Sequence, residues 1–175
     1  MGWFEQFFGS GEGSRDMDPE YSASMERIED SLGHLPESEA RYLACVALLA
    51  ARIANIDREI SEGEKERIQH VFRSVLKLTE EQAAAVMEIA LASEDSMTVE
   101  FHIVTRRLNE LASREQKIEL LRILFHVAAD DDITEHESDS IGSIASALML
   151  PRSDFLEVRA DYREHRKIFK GMPKR

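Results

Sequence analysis

The chain has 175 residues, 43% of them apolar, and a formal net charge of −12. That length suits one domain with a real hydrophobic core, and four prolines and eight glycines among abundant Ala, Leu, Ile and Glu favour helices. The charge argues against generic binding to nucleic acid or anionic lipid over the whole surface.

In chain order, "MGWFEQFFGSGEGS" comes first. Trp3, Phe4, Phe7 and Phe8 fall at helical spacing and form one aromatic stripe. Such a stripe can lie in a membrane interface, dock on a partner or fold back onto its own domain, and its lack of basic residues weakens the lipid reading. Gln6 stands where an N-terminal acylation signal wants Ser or Thr, which argues against lipidation. Residues 1–16 therefore read as an aromatic head with a glycine-rich linker, 17–170 as a helical domain and 171–175 as a basic tail.

A first helix is expected over Pro19–Leu32, broken by "GHLP". The second spans Glu37–Asn55, with Leu43, Val46, Ala47, Ala50 and Ile53 as its apolar stripe. Capping boxes then mark helix starts: Ser61 with Glu64, Thr79 with Gln82 (a helix to about Ala92), Ser113 with Gln116, and Thr134 with Glu137 (a helix to about Leu148). A helix over Thr98–Leu111 and a last one over Ser153–Phe169 complete the series. No strand alternation occurs, so the fold class is all-α, a compact domain of about seven helices.

The lone cysteine, Cys45, reads as a small core residue. "YLACVALLARIA" is too short to span a bilayer, and with no secretory signal a cytoplasmic protein is expected. From Arg152 to Arg175 eight Lys/Arg face four Asp/Glu, a balance of +4 against −16 for the rest. This basic end can serve docking or be a solvated face.

An internal repeat organises the domain. "NIDREISEGEKERI" aligns with "AADDDITEHESDSI" at a constant offset of 73, and after one lost residue Leu78 matches Leu150. The shared unit is helix, acidic turn, helix, written D-x-x-I-[ST]-E-x-E. Capping explains Ser61, Thr134 and the first-turn glutamates, and packing explains Ile60 and Ile133. Capping explains Asp57 and Asp130 less well, and it leaves Glu59 and Asp132 unexplained.

Two such turns facing one another would bring Asp57, Glu64, Asp130 and Glu137 together, with Glu59 and Asp132 as accessory groups. An all-oxygen set suits Ca²⁺ or Mg²⁺. A nitrogen from His126 or His136 would move preference toward Zn²⁺ or Mn²⁺, but Ile53 and Gly63 stand at the equivalent places. Each turn matches the back half of an EF-hand loop. The front half fails: Ile53 and His126 occupy the first position, Asn55 and Ala128 the third, Arg58 and Asp131 the sixth. Any tight site must therefore be shared between the turns.

The double turn, each after an apolar helix in "LLARIANIDREISEGEKERIQHVF" and "LLRILFHVAADDDITEHESDSIGSIASALML", resembles the tellurite-resistance TerB family over about Ser38 to Asp161. The resemblance implies an all-helical fold with an internal duplication and acidic residues clustered at a metal site, onto which Asp57, Glu64, Asp130 and Glu137 map. Related domains accompany J-domains in membrane-anchored co-chaperones. The family's usual turn reads Asp-Gly, and this chain has Asp57–Arg58 and Asp130–Asp131 instead.

Nothing in the sequence makes a strong enzyme. There is no phosphate-binding glycine loop and no nucleophile elbow, and Cys45 lacks a catalytic pair. His34, His70, His102 and His165 are isolated. Acids at helix starts favour their charged form, which suits acid–base catalysis poorly. The expectation is a non-enzymatic interaction domain with a protein partner. A metal-free scaffold is the alternative, and a metal-dependent hydrolase ranks below both.

Overall fold

The computed structural model describes residues 3–8, 26, 29–54, 62–95, 101–128 and 133–170. Eight helices account for most of them: α1 (Trp3–Phe8), α2 (Glu37–Ala54), α3 (Glu62–Ser74), α4 (Glu80–Asp95), α5 (Phe101–Leu111), α6 (Arg114–Ala128), α7 (Glu135–Ala147) and α8 (Arg152–Lys170). Residues 29–32 are also helical, and no strand occurs among the described residues. Asn55, Ser61 and most of the expected Pro19–Leu32 helix lie outside the described residues. Among these, no helix is long and apolar enough to cross a membrane.

The helix starts follow from local chemistry. At α4, Gln82 N–H donates to Thr79 Oγ1 (3.2 Å) and Thr79 N–H to Gln82 Oε1 (3.0 Å). Ser113 and Gln116 exchange the same pair of bonds at α6 (3.2 and 2.9 Å), and Thr134 with Glu137 completes the box at α7. Each box satisfies two N–H groups that a helix start leaves without intrahelical partners. The helix ends differ from the sequence expectation: α4 runs three residues past Ala92 and α8 begins one residue before Ser153, because helix ends fray and carry little sequence signal.

α2 is the central helix. Twelve of its residues are buried, from Ala40 to Ile53, so it has no broad solvent face. Five of the twelve are alanines, and this small surface lets neighbours pack closely from several sides. α2 packs against α4, α5, α6 and α7, while α6 packs against α2, α3, α7 and α8. Exchanging α2–α4 for α6–α8 maps the α2–α4 contact onto α6–α8, α3–α4 onto α7–α8, and α2–α7 onto α6–α3. The repeat in the sequence thus has a counterpart in the packing of two three-helix units that meet at the α2–α6 contact, although the α6–α7 packing has no equal between α2 and α3.

The correspondence is close. α3 and α7 each have 13 residues and start at Glu62 and Glu135, 73 apart. Ile68 and Ile141 plug the core at 1% and 0% exposure. Each helix is followed by a left-handed residue, Lys77 (φ 57°) shortly after α3 and Met149 (φ 60°) shortly after α7, a conformation that usually selects glycine. The following residues, Leu78 and Leu150, turn back into the core, and their N–H groups donate to Phe72 O (3.4 Å) and Ala145 O (3.1 Å).

The second unit carries the larger side chains. The Phe125 ring stacks on Phe155 (centroids 6.0 Å) and Tyr162 (5.7 Å), joining α6 to α8. A Cβ at Gly142 would meet the Phe155 ring at 3.3 Å, so glycine permits that approach. α5 closes the end of α7: Asn109 Nδ2 donates to Ala147 O (3.0 Å), and Lys117 Nζ donates to Leu148 O (3.2 Å) and Asn109 Oδ1 (2.7 Å). These bonds take up carbonyls that a helix end leaves open.

Candidate functional site

In the chain order the two acidic turns hold equivalent places, one between α2 and α3, the other between α6 and α7. Asp57, Glu59, Asp130, Asp132 and the Glu64 side chain lie outside the described residues. Glu137 is described, half-buried at the first turn of α7. Its Oε2 accepts from Thr134 N–H and from Thr134 Oγ1–H, both at 2.8 Å, while Thr134 Oγ1 accepts from Glu137 N–H at 3.2 Å. Its visible role is therefore the cap. Among the described residues no group of three or more His, Cys, Asp or Glu is arranged to hold a metal ion.

Around the second turn, Ile133 packs against the core. Ser138 Oγ, one residue beyond Glu137, is buried without a hydrogen-bond partner among the described residues. His136 is exposed, and His126 stands edge-on to the Tyr162 ring at 5.6 Å. Glu115 lies in the first turn of α6. Its own backbone N–H and the Ser113 hydroxyl hold its carboxyl below the usual range.

The structure assembles a second constellation that the sequence reading left open. Phe7 of α1 is 5% exposed and belongs to the main core, with Trp3 packed against it. Two guanidiniums flank the Phe7 ring: Arg41 of α2 at 5.0 Å and Arg107 of α5 at 5.2 Å from its centroid. Arg107 Nε also donates to Phe7 O at 2.7 Å. The head thus folds back onto the domain through Phe7 and Trp3; the side chains of Phe4 and Phe8 lie outside the described residues. Cys45, one turn along α2 from Arg41, is fully buried. Burial pushes its thiol pKa up against a smaller opposing effect of Arg107, so it behaves as the core residue expected.

Two further contacts fasten the helices, one within the second unit and one between the units. Asp154, 4% exposed at the start of α8, receives Arg114 Nε (2.9 Å to Oδ2) and Nη2 (2.8 Å to Oδ1) in a two-point fork. Tyr42 donates its hydroxyl to Gln116 O (3.1 Å), linking α2 to the first turn of α6. Burial first, then the Glu119 charge and Cys45, raise its pKa from 10.0 to about 12. These contacts span 40 and 74 residues, beyond any local pattern.

The model of the family described as tellurite resistance protein TerB matches residues 42–160. The chain belongs to the TerB family. Within this TerB-family chain the match runs from Tyr42 on α2 to Ala160 on α8, enclosing both acidic turns and most of both three-helix units, and it leaves α1, the first turn of α2 and the end of α8 outside. No curated protein and no solved structure matches the chain.

Proposed function

We propose that this TerB-family chain is a non-enzymatic interaction domain of a cytoplasmic stress-response or envelope-associated system. In this reading it holds a divalent cation, Ca²⁺ or Mg²⁺ before Zn²⁺ or Mn²⁺, through Asp57, Glu64, Asp130 and Glu137, with Glu59 and Asp132 as accessory ligands. The observation that supports it is the match over 42–160, which encloses two acidic turns flanked by helices in equivalent positions. An oxygen-only ligand set suits hard cations. The partner is a protein rather than nucleic acid, given the charge of −12. Peripheral membrane contact through Trp3, Phe4, Phe7 and Phe8 requires Phe7 to leave its buried seat first.

One observation favours a metal-free scaffold as the second reading. Glu137 Oε2 already accepts two hydrogen bonds from Thr134, so α7 is capped without a cation. Thermal unfolding of chelator-treated protein, repeated with each cation, separates the two. A shared site gives a stability gain of about 2.7 kcal/mol at 100 times Kd, lost in Asp57→Asn and in Asp130→Asn. Retention of the gain in both variants contradicts a shared site, and no gain in the wild type leaves the scaffold. Turnover of simple phosphate esters by the metal-loaded protein would instead support a hydrolase.

A further inference from the structure

The seat of Phe7 reads a ligand at three points. The guanidiniums of Arg41 and Arg107 both lie over its ring, 5.0 and 5.2 Å from the centroid, an arrangement that favours a π face over an aliphatic chain. Its carbonyl, in the last turn of α1, accepts from Arg107 Nε at 2.7 Å; such carbonyls have no partner within their own helix. Trp3, four residues earlier and hence on the same helix face, packs against the core beside it.

The repeat shows that this seat is a departure from the shared scaffold. Arg41 and Arg114 are equivalent, 73 residues apart, and so are Gln82 and Asp154 after the lost residue. In the second unit Arg114 Nε donates to Asp154. In the first unit Gln82 is engaged with Thr79, and Arg41 Nε is buried with no hydrogen-bond partner among the described residues. The Arg41 guanidinium faces Phe7 and pairs with Glu37. The element that fills the seat lies outside the TerB match, which also begins one residue after Arg41, and at 6 residues it is far too short to persist as a helix without the seat.

We infer that the Arg41–Arg107 seat on α2 and α5 is a docking site for a short helix bearing two aromatic residues four apart, the second in its last turn, and that α1 occupies it in cis. A partner segment of that chemistry binds when α1 leaves. This deepens the interaction-domain reading by naming the partner's chemistry, and it stands whether or not the acidic turns hold a cation.

Trp3 is the single tryptophan of the chain, which makes the test direct. The full-length Trp3→Phe/Phe7→Ala protein serves as a receptor without tryptophan, and a synthetic peptide of residues 1–10 is the probe, titrated in the presence of chelator so that the outcome is independent of any cation. The expected result is a saturable blue shift and anisotropy rise of the peptide tryptophan. The effect should be lost with the Phe7→Ala peptide and be at least about tenfold weaker for a receptor carrying only Trp3→Phe, because the tethered helix competes. No binding, or equal binding of the two peptides, overturns the inference. Should the receptor fail to fold by its helical circular dichroism, acrylamide quenching of Trp3 in the intact chain decides. Arg107→Ala must raise it, and unchanged quenching overturns the seat.

Discussion

Arg41 and Arg114 occupy equivalent places on α2 and α6, yet they hold different things. Arg114 forks onto a nearly buried Asp154 and fastens α6 to the start of α8. Arg41 faces the ring of Phe7, from a segment outside the shared domain. The partner residue decides the difference. Where the first unit keeps a Thr79–Gln82 box, the second has Pro151 and Asp154, and a carboxylate recruits a guanidinium across 40 residues. Equivalent positions of the two units thus carry the same residue type with different contacts, an ion pair in one and an aromatic ring in the other.

The largest test of the comparison concerns the core the units share. Ile68 and Ile141 are equivalent and both buried, so Ile68→Ala and Ile141→Ala should each cost about 2–5 kcal/mol in denaturant unfolding. If the units fold as one body, both variants show a single transition. A biphasic curve in either would separate the units.

The next test is alkaline stability, which the comparison places in the first unit. Tyr42 has a raised pKa in the fold, from 10.0 to about 12, and its counterpart position holds the exposed Glu115. The unfolded chain releases the phenol proton first, so the contribution is fully present below pH 10 and lost as pH rises toward 12. Its full size is roughly 2–3 kcal/mol. Unfolding measured from pH 8 to 12 should show a steep alkaline loss that Tyr42→Phe makes shallower, and an unchanged slope would contradict the burial of that hydroxyl.

Smaller effects come from the caps. Thr79→Ala and Thr134→Ala should each cost about 1 kcal/mol, measured by chemical denaturation. A much larger loss for Thr134→Ala would mean that Glu137 is held in place for more than capping.

The caps at Thr79, Ser113 and Thr134 were legible in the sequence because donor and acceptor lie three residues apart. The repeat was legible because Ile68 and Ile141 must both reach one core, which keeps their spacing. The seat of Phe7 was not. The sequence shows an aromatic helical stripe, but Arg107 reaches Phe7 across 100 residues, and no local pattern encodes that. The fork at Asp154 was hidden for the same reason, although extending the offset to Arg41 and Arg114 would have flagged both arginines. Of the six acidic candidates only Glu137 has a described side chain, and its capping role was the part that local spacing could reveal.

The division between the two arginines is tested most directly by measuring acrylamide quenching of Trp3 and the melting temperature side by side in Arg41→Ala and Arg114→Ala. The expected result is stronger quenching with a nearly unchanged melting temperature for Arg41→Ala, and unchanged quenching with a lowered melting temperature for Arg114→Ala. Equal quenching in wild type and Arg41→Ala, or a head loosened by Arg114→Ala, would contradict it.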